Sequence, residues 1–191
     1  MSDELCAHIN QSLSVCDQQR LSAPTIISEL HNQFPVIKKI VIAYHLAGSH
    51  IKIKLHKPVC SINNLFVLTA NALVPQSYFS ESARSTIPSL DIAHESMGNA
   101  AFFAQAIVDV LPHTAWNDWK VSCRNEHCIR LIHKQNAQFA VLYSIDQKIS
   151  SDLLTQCALI QKNMMARGAF DRGMEWIADT RFAHYIVAYK A

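Results

Sequence analysis

Glycine is scarce in this chain, with 4 in 191 residues, where about 7% usage would give roughly 13. Gly48, Gly98, Gly168 and Gly173 stand apart from one another, which excludes a glycine-rich phosphate cradle. Charge is thin as well, at 17% against the roughly 25% of typical soluble domains. No apolar run approaches the roughly 18 to 20 residues that span a bilayer. The longest candidate, Ala100 to Leu111, is interrupted by Gln105 and Asp109. The opening segment MSDELCAHINQSLSVC has no apolar h-region and does not read as a secretory signal. A cytoplasmic location is therefore expected, with the six cysteines reduced. Nucleophile motifs of the forms G-x-S-x-G, Q-A-C-x-G and C-G-S-C-W are missing. Ten histidines are present, but no HExxH and no paired i, i+4 histidines.

Acid is missing over one long stretch. Between Glu29 and Glu81 there is no Asp or Glu, while Lys38, Lys39, Lys52, Lys54 and Lys57 are all basic. The net charge of +2 therefore hides a basic segment between an acidic N-terminal part and a balanced remainder.

What is abundant is apolar content, at 50%, enough for a real core without staples. Residues 3 to 19 read as a helix with Leu5, Ile9, Leu13 and Cys16 at helical spacing. A second helix follows Leu21-Ser-Ala-Pro24 and stops at Phe34-Pro35. From Val36 the period changes to two. Ile37 to Leu46 is β-branched, Ala47-Gly48-Ser49 reads as a turn, and Ile51, Ile53 and Leu55 alternate with His50, Lys52, Lys54 and His56. Asn63 to Val74 reads as a short helix, Pro75 to Ser89 as a loop, and Leu90 to Leu111 as a helix capped by Ser89. Three antiparallel strands are expected at Trp119 to Arg124, His127 to Lys134 and Gln138 to Ser144, with the apolar FAVLY central. A helix from Ser150 or Ser151 ends near Gly168 or runs on to Ala178, and Phe182 to Tyr189 closes the chain as a buried strand.

The fold class is α+β, an antiparallel sheet with packed helices, with two small αββα-like lobes as the alternative arrangement. Residues 1–75 carry the helices and basic hairpin, and 90–191 carry helix, three strands, helix and strand. The stretch 75–89 is a linker, unless the chain is one continuous domain.

Three constellations bear on chemistry. The alternation sets Lys52 and Lys54 with His50 and His56 on the wet face of the hairpin, beside Lys38, Lys39 and Lys57, as an anion- or nucleic-acid-binding surface. The bland alternative is the charged outer face any soluble sheet needs. Cys123, His127, Cys128 and His133 are the candidate zinc ligands or redox thiols, although a C-x4-C spacing is at the limit for zinc and a second ligand pair is missing. Ordinary buried or turn cysteines are the alternative. Otherwise no cofactor is expected. Cys60, His94 and Asp91 form a thiol-protease triple only by free assembly from a chain rich in cysteine and histidine.

The order helix, three antiparallel strands, helix, strand over the last hundred residues is similar to the core of PD-(D/E)xK restriction-endonuclease-like proteins. The resemblance implies a metal site with an acid on the second strand and an acid-x-Lys on the third. Here CIRLIHK has no acid and FAVLYS none before Asp146-Gln-Lys148, so Glu95, Glu126, Asp146 and Lys148 are the residues that carry over. The same order resembles small α+β chaperones and adaptors that hold partner segments on a sheet or helix face. The expected function is a non-enzymatic cytoplasmic binding or regulatory protein acting through a protein partner or homodimer. The alternative is a nucleic-acid-binding protein or degenerate restriction-endonuclease-like nuclease using the basic hairpin.

Overall fold

Ser2 opens the first helix because its Oγ accepts the Leu5 N–H at 3.2 Å while Asp3 and Glu4 sit in the first turn, where acid suits the helix dipole. The structure, a computed structural model, describes residues 1–45, 48–112, 114–125, 128–146, 150–170, 175–181 and 186–190. It is α+β and divides into two compact units, Met1–Pro88 and Ser89–Ala191.

In the first unit, α1 (Asp3–Gln18) buries Leu5, Ile9 and Cys16. After Arg20, at a positive φ of 52°, α2 (Ala23–Gln33) begins with Pro24 in its first turn and stops before Pro35. Strands β1 (Ile37–His45) and β2 (Gly48–Leu55) form an antiparallel hairpin. Of the expected turn, Ala47 lies outside the described residues, and Gly48 and Ser49 already belong to β2. Strands β3 (Pro58–Ile62), β4 (Phe66–Thr69) and β5 (Leu73–Pro75) follow as an antiparallel meander. The unit closes with a 3-10 turn at Gln76–Tyr78 and the single-turn helix α3 (Glu81–Arg84). One core joins Leu5 and Ile9 of α1, Leu30 of α2, Phe34, Val36, Ile37 and Ile40, Val67 and Val74, and Phe79.

Two expectations fail here. Asn63 to Val74 is not helical: Asn63 and Asn64 take φ of 51° and 54°, and the Leu65 N–H bonds the Ile62 carbonyl at 3.0 Å. These are two left-handed positions, which asparagine tolerates, and the turn makes β3 and β4 a tight hairpin. Pro75 to Ser89 is not a loop throughout, since the 3-10 turn and α3 lie within it and Phe79 is in the core.

The second unit starts with β6 (Ser89–Ile92), where a helix start was expected. Leu90 and Ile92 are buried on either side of Asp91, a strand period, and pair in parallel with Val121 and Cys123. A 3-10 segment at His94–Asn99 leads into α4 (Ala100–Val110), and the short α5 (Ala115–Asp118) precedes β7 (Trp119–Asn125). The antiparallel meander continues through β8 (Cys128–His133) and β9 (Asn136–Tyr143). Helix α6 (Ser151–Ala166) starts at Ser150, whose Oγ accepts the Leu153 N–H at 3.1 Å. It ends at Ala166, and Gly168, just past the cap Arg167, takes a φ of 67°. The Ala169 and Gly168 N–H groups return to the Met164 and Met165 carbonyls, each at 3.0 Å, the pattern of a Schellman cap. Beyond it Trp176–Asp179 is strand β10, parallel to β9, and Val187–Lys190 is β11, antiparallel to β10. The helix therefore does not reach Ala178. The last strand is largely exposed rather than buried, and residues 182–185 of the expected strand lie outside the described residues. Within this unit the strand order is β11-β10-β9-β8-β7-β6, so FAVLY on β9 has a strand on each side.

Candidate functional site

The β1–β2 hairpin is registered so that Lys39 faces Lys54, Val41 faces Lys52 and Ala43 faces His50, while Ile40 faces Ile53 and Ile42 faces Ile51. A bulge between Ile37 and Lys39 sets this phase. Strict alternation would place Ile37 and Ile40 on opposite sides. The extra residue, Lys38, lets both face the core, where each is buried. One face of the hairpin is therefore apolar and the other carries Lys39, Val41, Ala43, His50, Lys52 and Lys54.

All five lysines of the acid-free stretch are exposed. Lys39, Lys52 and Lys54 share the outer face with His50; Lys38 stands at the bulge, and Lys57 and His56 at the exit from β2 toward β3. His56 is drawn into the fold, its Nε2 lying 3.1 Å from the Asn71 side-chain amide, and its N–H bonds the Val36 carbonyl at 2.8 Å. The ion pairs among the described residues join Lys120 to Asp91, Arg130 to Glu175 and Arg181 to Asp179, and none involves a hairpin lysine. Cβ atoms directly opposite in an antiparallel pair lie about 5 Å apart, and like charges there are destabilising. Lys52 and Lys54, two residues apart on one strand, repeat at about 7 Å.

The alternation did not reveal where apolar side chains are left uncovered. Val41 is 42% exposed within the basic face, and Tyr44, at the far end of the inner row, is 71% exposed. Ile51, Ile53 and Leu55 of β2 are only half-buried, whereas Ile37 and Ile40 of β1 are closed in. The bulge, which fixes these phases, has no signature in the residues around Lys38.

In the second unit Cys123 pairs with Ile129, and Ile129 with Tyr143, in one buried row across β7, β8 and β9. Cys128 pairs instead with Asn125, past a second bulge, so the two thiols are not directly opposite. Burial pushes both thiols up, Cys128 against the pull of Arg181, and Cys123 further through the neighbouring Cys128. His133 packs edge-on against Trp119, ring centroids 4.9 Å apart, and its Nδ1 accepts the Gln135 N–H at 3.3 Å. It stands five residues along β8 from Cys128, about 16 Å in a strand, too far to share a metal ion with it. His127 lies outside the described residues. Among the described residues no group of three or more His, Cys, Asp or Glu could hold a metal ion.

The chain runs α4, α5, β7, β8, β9, α6, β10, with β10, rather than the expected strand at residues 182–189, parallel to β9 across α6. The acids expected of a restriction-endonuclease-like core do not converge. Asp146 is exposed beyond the end of β9, Glu126 and Lys148 lie outside the described residues, and the Glu95 side chain is not among those described. Neither β8, CIRLIH, nor β9, NAQFAVLY, contains an acid. A buried carboxylate lies instead on β10. Asp179 accepts Arg181 Nε at 2.9 Å and Nη2 at 2.6 Å, and Arg181 holds its carboxyl below the usual range. Cys60, the nucleophile of the assembled triple, is fully buried with its thiol pushed up to about 12, and Asp91 is engaged by Lys120 at 2.8 Å.

A cleft of about 240 Å³ is lined by Asp118, His133, Trp119 and Thr155, and one of about 490 Å³ by Gln11, Ser12, Gln19, Glu29 and Gln33 of α1 and α2 and their connection. No hydrogen bond joins Asp118 to His133 among the described residues. No protein-family model and no curated protein sequence matches this chain.

Proposed function

We propose that this chain is a non-enzymatic binding protein that works through protein–protein contact and holds an acidic partner on the outer face of the β1–β2 hairpin. The observation that carries the reading is Lys39 directly opposite Lys54, with Lys52 alongside, exposed and without an acid in either strand. Surfaces that serve solubility alone intersperse the two signs. A single-sign face with apolar Val41 at its centre raises the local concentration of anions and offers them an adjoining dry contact. All six cysteines are free thiols, which supports placing the protein in the reducing cytoplasm. No helix among the described residues is long and apolar enough to cross a membrane.

The test is fluorescence anisotropy of labelled poly-L-glutamate with the full chain at 50 and 500 mM salt. Binding at low salt should weaken on salt addition, because exposed charges are screened. The double variant Lys52→Glu, Lys54→Glu should lose it by about tenfold, since each exposed contact contributes about 0.2–1 kcal/mol and both change sign. Binding that the double variant leaves untouched, or no binding at 50 mM salt, would refute the reading.

A further inference from the structure

We infer that the partner is an extended acidic segment of a protein that adds to the open edge of β2 as a third strand, its carboxylates at alternate positions alongside Lys52 and Lys54. The assignment rests on the hairpin being a docking face for acidic protein, and it specifies the mode of docking.

The hairpin is a sheet of only two strands: among the described residues neither β1 nor β2 has a second strand neighbour. An edge of this length presents a row of main-chain donors and acceptors that an extended chain can pair with. The two edges are not equivalent. On β1 the inner row is closed at Ile37 and Ile40, 3% and 8% exposed, and opens only toward Ile42 and Tyr44, whereas on β2 Ile51, Ile53 and Leu55 are half-buried along the whole edge. A strand laid along β2 would stand about 4.8 Å away, and its side chains would alternate at the same repeat of about 7 Å. Residues of one parity would extend the row His50, Lys52, Lys54, and those of the other would cover Ile51, Ile53 and Leu55. The matching sequence is thus an alternation of acid with β-branched apolar residues. A nucleic acid meets fewer of these features. It could place phosphates near the lysines, but it brings no main-chain amides to the edge, and no arginine on the hairpin offers bidentate readout.

The experiment titrates the full chain against a fluorescein-labelled peptide of sequence Glu-Val-Glu-Val-Glu-Val-Glu. Comparators are two versions N-methylated at the Glu or at the Val positions and a dT8 oligonucleotide, with poly-L-glutamate as the charge control. Expected are binding of the unmodified peptide, a loss of about tenfold or more in one of the two methylated versions, and a similar loss with Lys52→Gln, Lys54→Gln. Both substituted side chains face solvent, so the fold is retained, and protection of β2 amides from hydrogen exchange on peptide binding reads the pairing directly. Equal affinity of all three peptides would overturn strand addition while leaving the charged docking face intact. Tighter binding of dT8 than of peptide would overturn the choice of partner. Failure of the peptides and of poly-L-glutamate alike would overturn the docking face itself.

Discussion

Replacing Lys54 with Glu should stabilise the protein while removing its affinity for acidic partners. The register sets Lys39 directly against Lys54, with Lys52 next on the same face. Cross-strand charge pairs are worth about 0.2–1 kcal/mol, unfavourable when like and favourable when opposite. Reversing one sign therefore moves the Lys39–Lys54 pair by about 1 kcal/mol. Lys52, about 7 Å along the strand, turns from repulsion to attraction and adds up to about 1 kcal/mol in water, and the poorer strand propensity of Glu takes back a few tenths. The net gain of about 1 kcal/mol or more corresponds to a rise in Tm of at least about 2–4 °C for a chain of this size. Circular-dichroism melts in 20 mM and 1 M NaCl measure it, and the gain should vanish in high salt, where the Debye length is about 3 Å. Lys57→Glu, outside the paired register, serves as the control without a gain. A Lys54→Glu protein that melts lower than the parent at low salt, or a gain that persists in 1 M salt, would show that the lysines are not held against one another. The reasoning from the face would then fail with it.

Three further outcomes follow from the second unit and the thiols. Burial pushes Cys60 to about 12 and Cys157 to about 11. Iodoacetamide at pH 8 should therefore alkylate half-exposed Cys6 first and leave Cys60 and Cys157 untouched until unfolding; mass spectrometry that finds native Cys60 modified as fast as Cys6 contradicts the burial. Asp179 has a folded pKa below its unfolded value, so its ionised, paired form stabilises the fold above the ordinary carboxylate range near pH 4, and that contribution fades as pH falls through the folded value. Arg181→Gln should cost about 2–3 kcal/mol in urea denaturation at pH 7 and less at pH 4, because it leaves a buried carboxylate without its cation; equal costs at the two pH values would exclude this cause. Ser150→Ala should cost about 1 kcal/mol by removing the cap of α6, and a change under about 0.3 kcal/mol in the same assay would mean that the cap contributes nothing.

The elements legible from the residues are those in which pattern and burial agree. Ile51, Ile53 and Leu55 alternate with His50, Lys52 and Lys54 because β2 has one wet face, and the period of two reports it directly. Likewise FAVLY is apolar throughout because β9 has neighbours on both edges and lies in the core. The failures come where a few residues decide. Asn63-Asn64 passes for the start of a helix unless both are read as left-handed turn positions. Ser89–Ile92 is only four residues long, and the apolar α4 that follows dominated any window containing it. Trp176–Asp179 finds its place through parallel pairing with distant β9, which leaves no local trace. The site was legible in part. Composition located the lysines and alternation chose the face for Lys52 and Lys54, but the Lys39–Lys54 pairing depends on the bulge at Lys38, which no periodicity announces.

That cross-strand pairing also separates docking from mere protection. Lysine on an exposed edge blocks association with other chains, and one such residue on each strand would guard a two-stranded sheet. Guarding does not require that the two be placed opposite each other, nor that the surrounding 51 residues from 30 to 80 hold no acid to balance them. A neutral or acidic residue at position 39 would leave Lys52 and Lys54 as guards and relieve the repulsion. The arrangement thus carries a cost that edge protection leaves unexplained and that an acidic strand along β2 would offset. If so, stability and affinity must move in opposite directions when Lys39 or Lys54 is neutralised, whereas lysines that only guard the edge would leave affinity for acidic peptides at zero throughout.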